Sequence, residues 1–109
     1  MNAEWLDGDG YPTDEALEKI TKWPWEDIPG LFKFVEDIWF FAEDGYLWRD
    51  KEPLEEFGGV YQIWNLSTAG WSGNESIIDA MKQNFIIWSQ TAYSWKRGGH
   101  HQFRLKVEK

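Results

Sequence analysis

Cysteine is absent from this 109-residue chain, which excludes disulfides, thiolate nucleophiles and cysteine-based zinc sites. Histidine occurs only twice, as the adjacent pair His100-His101, so general-base chemistry has little to draw on. No run approaches the ~20 apolar residues of a membrane span. The opening Met1-Asn2-Ala3-Glu4-Trp5 lacks the basic and apolar regions of a secretory signal. The expectation is a cytoplasmic protein with no membrane association, and the sequons at Asn65 and Asn74 then carry no meaning. Asp7-Gly8-Asp9 lacks the further ligands and closing glutamate of a calcium loop. No metal and no cofactor are implied.

Aromatic residues, by contrast, are plentiful, with nine tryptophans in one small chain. Large rings bury about 150–250 Å² each, so a core can be built from few of them, with some left over as surface anchors. A homodimer through such anchors is one expectation. The net charge of −8 is unevenly spread: residues 1–59 hold 16 acids and 5 bases, whereas residues 60–109 hold 3 acids and 6 bases. An acidic chain repels phosphate and attracts basic partners. Direct nucleic-acid binding is therefore disfavoured for the chain as a whole.

The length fits a single domain over residues 1–109, with 1–12 as an irregular lead-in rich in turn residues. Thr13 is placed to cap a first helix that ends near Trp23, before Pro24. Asp27 is placed to cap a second, with Pro29 early in it and Asp44-Gly45 as its breaker. The two are expected to form an αα-hairpin. Tyr46–Arg49 and Val60–Leu66 read as strands that pair antiparallel, separated by an acidic loop over 50–56 and a Gly58-Gly59 turn. A third helix, capped by Ser72 or Asn74, carries Ile77, Met81, Phe85 and Trp88 on one face. Thr91–Trp95 fits either a helical extension or a strand. His101–Val107 alternates as a final strand, at a sheet edge. The fold class is α+β, a small antiparallel sheet of three to four strands packed against three helices.

Two glycine-bearing segments bracket the third helix. Gly70-Trp71-Ser72-Gly73-Asn74 runs into its N-terminus, where backbone N–H groups favour anions, although Glu75 opposes a negative ligand. Trp71 would supply a stacking wall. Lys96-Arg97-Gly98-Gly99-His100-His101 follows its C-terminus. Arg97 could grip a carboxylate or phosphate bidentately, and His100 or His101 could titrate near neutrality. Adjacent strand residues face opposite ways, so the two histidines do not chelate together. The expected ligand-binding set is Gly70, Trp71, Ser72, Gly73, Asn74, Arg97, His100 and His101, with a small anionic ligand. Gly70 lies two before Ser72 as in a nucleophile elbow, but Asn74 stands where the second glycine belongs. No catalytic residues are assigned, and binding is expected rather than catalysis. Both segments also read as plain turns.

The Leu66–Phe103 segment resembles a family of small uncharacterised bacteriophage and prophage proteins. The residues that carry the resemblance are Gly70-Trp71-Ser72-Gly73-Asn74-Glu75, Ile77-Ile78 and Arg97-Gly98-Gly99-His100. It covers about a third of the chain and leaves out the acidic N-terminal half. It implies a phage origin, and so action in the host cytoplasm, without a mechanism. An alternative follows from that origin and the acidic half together: an anti-defence inhibitor that occupies a basic site on a host nucleic-acid-handling protein.

Overall fold

The structure, a computed structural model, describes residues 4–40, 42–50, 54–56 and 59–108. These described residues form an α+β fold with four α-helices and a five-stranded antiparallel sheet. The helices are α1 (Asp14–Thr21), α2 (Ile28–Ile38), α3 (Ser72–Gln83) and α4 (Phe85–Thr91). The strands are β1 (Leu47–Arg49), β2 (Leu54–Glu56), β3 (Gly59–Ser67), β4 (Ala92–Lys96) and β5 (His100–Glu108). The sheet order is β1-β3-β5-β4, and β2 pairs with β3 beyond the end of β1.

The first two helices are set by local chemistry. Thr13 accepts a hydrogen bond from the Ala16 amide, and Asp27 accepts one from the Gly30 amide. Each satisfies a donor that the first turn leaves unpaired. The αα-hairpin expectation is corrected, because α1 packs chiefly against α3. Residues 6–12 form a turn tied back on itself: Asp7 accepts from the amides of Asp9 and Tyr11, and Leu6 bridges Pro12.

The second helix stops at Ile38, six residues before its expected breaker. Asn74 is the cause. Its Oδ1 accepts from the Phe40 amide at 2.9 Å and its Nδ2 donates to the Phe40 carbonyl at 3.0 Å, diverting the backbone out of the helix. Trp39 then turns inward, and its indole N–H donates to the Ser67 carbonyl at 3.1 Å. Phe41 lies outside the described residues.

The expected single third helix is two helices, broken at Asn84, whose φ of −84° and ψ of 77° are not helical. Asn84 Nδ2 donates to the carbonyls of Ile20 and Trp23, and these long-range bonds hold the break open. Ile77 and Met81 stay buried, but Phe85 is thrown out of phase and is 75% exposed. Thr91 ends α4, and Ala92–Lys96 is a strand. That strand takes the edge, so β5 is internal, between β3 and β4. Part of the loop expected over 50–56 is β2, and Gly59 opens β3; residues 51–53 and Gly58 lie outside the described residues.

The core lies between the helices and one face of the sheet. Trp64 and Leu66 of β3 and Phe103 of β5 meet α2, α3 and α4 there. Phe32 stacks on Trp64, with centroids 4.2 Å apart and planes 7° from parallel. No helix among the described residues is long and apolar enough to cross a membrane.

Candidate functional site

At the end of β3 the chain turns sharply. Ala69 and Gly70 have φ of 55° and 72°, left-handed values that suit Gly70 and strain Ala69. The Thr68 amide donates to the Gly99 carbonyl at 3.0 Å, and the Trp71 amide donates to the Thr68 carbonyl. Across from this turn, Gly98 and Gly99 have φ of 97° and 86° and form the tip of the β4–β5 hairpin. The two glycine segments therefore meet at the Thr68–Gly99 bond.

A cleft of about 540 Å³ opens at this junction. One wall is Glu75, Asp79 and Lys82 of α3, and the other is Trp95 and His101 of the hairpin. Thr68, Gly70, Gly98 and Gly99 form its end. Trp95 is 65% exposed. The Thr68 side chain is 2% exposed, and among the described residues its hydroxyl has no hydrogen-bond partner. A buried hydroxyl without a partner is uncommon and costly. Gly99 has no room for a side chain, because a Cβ there would overlap the Thr68 hydroxyl.

Of the residues expected from sequence, Gly70 and His101 line this cleft, while Arg97 is exposed and outside its lining. Asn74 is buried and its amide is spent on Phe40. Trp71 lies between Tyr11 and Phe40, with ring centroids at 4.5 and 4.7 Å. Gly73 is buried against the Trp71 indole nitrogen, leaving no space for a side chain. Ser72 is exposed and its hydroxyl is directed at the Tyr11 hydroxyl at 3.3 Å. Neither Ser72 nor Asn74 caps α3; the N-cap is Trp71, with no side-chain bond. His100 and His101 do face opposite sides of the sheet, His101 toward Leu66 and His100 toward Ser67. Sequence reasoning passed over Thr68, Asp79, Lys82 and Trp95. The Glu75–Asp79 spacing of one helical turn was the available signal.

His101 departs from the near-neutral titration expected of it. Burial, then Lys82 and His100 nearby, lower its pKa from 6.5 to about 4. It is a neutral imidazole at physiological pH. The depressed pKa means that the unfolded chain binds the proton first as pH falls. Stability should therefore decline between about pH 6.5 and pH 4 and level off below. Solvent screening of a half-exposed ring reduces the loss to roughly 1 kcal/mol. Thermal melts of wild type and His101→Gln across that window should diverge by this amount. Parallel curves would show that His101 does not resist protonation.

Among the described residues, no group of three His, Asp or Glu side chains is arranged to hold a metal ion. No family model, curated protein or solved structure matches the chain.

Proposed function

We propose that this is a non-catalytic binding protein of phage type, whose cleft between α3 and the β4–β5 hairpin receives a cationic group from a basic protein partner. The observation that carries the reading is the charge of the cleft. Glu75 and Asp79 stand one turn apart on its wall, Lys82 is the one cation among the described lining residues, and His101 is neutral. An anion would meet two carboxylates there, whereas an ammonium or guanidinium would gain them as acceptors. Trp95 offers its ring for a cation–π contact.

The surroundings favour the same partner. Asp14, Glu15 and Glu18 on α1 and Glu36 and Asp37 on α2 are all exposed. A basic surface is steered toward such a layer. This reading joins the two sequence expectations, keeping the position of the ligand site and taking the basic partner in place of the anion.

The test is calorimetric titration with an arginine-rich peptide and, separately, with inorganic phosphate. The peptide should bind in a salt-sensitive manner, and Glu75→Gln with Asp79→Asn should weaken it by about tenfold or more. Peptide affinity unchanged in that double variant would remove the cleft from the interaction. Phosphate binding that is lost in Arg97→Ala would instead restore the anionic ligand.

A further inference from the structure

We propose that the open face of the sheet, opposite the helices, binds single-stranded nucleic acid. This goes beyond the cleft reading and uses different residues. Strand register lays the face out as a grid. Trp48, Asn65, Gln102 and Ser94 form one row across β1, β3, β5 and β4. The buried Ser67 with His100 and Lys96 forms the next row, and the buried Ile63 with Arg104 flanks the first on its other side. Helices cover Trp64, Leu66 and Phe103 on the far face, while here Trp48 is 47% and Tyr93 55% exposed.

A polar ladder crosses this surface. Arg104 Nε donates to Gln102 Oε1 at 2.9 Å, Gln102 Nε2 to Asn65 Oδ1 at 3.2 Å, and Asn65 Nδ2 to Asp50 Oδ1 at 3.1 Å. The chain of bonds fixes which way each carboxamide points. Beyond these bonds, each amide retains a second N–H and a second lone pair. Two oriented amides that can each donate and accept are suited to the edge of a nucleobase. Above them lies a groove of about 340 Å³ with Trp48 at one end and Lys96 and His100 at the other. The span between β1 and β4 is three interstrand steps, about 14 Å.

Charge selects the occupant. Among the described side chains that the register places on this face, Lys96, Arg104 and Lys106 are cationic, and Asp50, already bonded to Asn65, is anionic. The Arg104 guanidinium lies over the Tyr93 ring at 3.5 Å, which holds the charge at the surface. A flat ring for Trp48, an edge for the amides and a phosphate for Lys96 and Lys106 describe a single strand. A neutral sugar polymer would leave the cations unused, and a duplex keeps its base faces stacked. The overall charge of −8 is no obstacle. The acids of α1 and α2 belong to the helix layer across the sheet, and their field is screened over ~8–10 Å at physiological salt.

The experiment is fluorescence anisotropy of a labelled single-stranded oligonucleotide of roughly a dozen nucleotides, a typical site size. It uses the full chain at low salt and at increasing salt. Wild type should bind, with affinity falling as salt rises. Trp48→Ala and Lys96→Glu should each weaken binding about tenfold or more. Both side chains are exposed, and circular dichroism would verify that the variants fold. The Glu75→Gln with Asp79→Asn variant should bind the oligonucleotide as wild type does, which separates this face from the cleft. No binding by wild type at low salt, or binding indifferent to both substitutions, would overturn the proposal.

Discussion

Replacing Asn74 by alanine is expected to destabilise the fold by about 3–5 kcal/mol. The side chain is 1% exposed and closes a pair of hydrogen bonds with the amide and carbonyl of Phe40. Its removal takes away both bonds to the Phe40 backbone, at about 1–3 kcal/mol each. It also removes the reason for α2 to end at Ile38. Asn74→Asp should fare badly too, because a carboxylate accepts from the Phe40 amide but cannot donate to the carbonyl. Urea unfolding followed by circular dichroism gives the measurement. An alanine variant as stable as wild type would return Asn74 to the candidate ligand set.

The second large effect is expected at Phe32. Phe32→Ala should cost about 3–5 kcal/mol, the usual range for a buried phenylalanine truncated in a core. Phe32 is 1% exposed, stacks on Trp64 at 4.2 Å and lies 5.3 Å from the Phe103 ring. It is the contact through which α2 meets the two central strands. The cavity would sit at the joint between layers, where neither a helix nor the sheet can collapse alone. Phe32→Leu restores much of the volume and should lose less than half as much. Tryptophan emission should respond as well, since Trp64 loses its stacked neighbour. A loss under ~1 kcal/mol in the alanine variant would show that the layers are held together elsewhere.

The parts of the fold legible in the sequence are those decided within a few residues. Thr13 and Asp27 announce their helices because a cap acts across three positions. The pairing of β1 with β3 follows from aromatic and β-branched runs joined by turn residues. The parts that could not be read depend on partners far along the chain. Asn84 looks like an unremarkable helical residue until the carbonyls of Ile20 and Trp23 are brought to its amide. The end of α2 is dictated by a side chain 34 positions beyond Phe40. β4 is short and exposed along its length, so it carries no alternation to mark it. At the cleft, the glycines are legible as turns, but the balance of charge depends on which side chains the fold brings to the wall. Lys96-Arg97 suggests a positive site in sequence, while one wall is lined by Glu75, Asp79 and Lys82 of the intervening helix.

The pairing of β3 with β5 carries a kinetic consequence. Trp64 and Phe103 lie opposite each other across these strands yet are 39 positions apart. Closing that span costs chain entropy before any contact repays it. Sheets dominated by such distant pairings fold more slowly than helical bundles. The β4–β5 hairpin and α3 can organise within the span from near neighbours, whereas Thr68 reaches Gly99 only when β3 docks. The end of the cleft, where Thr68 meets Gly99, is completed only by that closure. Binding at the cleft is therefore expected to develop with the slowest refolding phase, and a refolding time course read by ligand would lag one read by helix content.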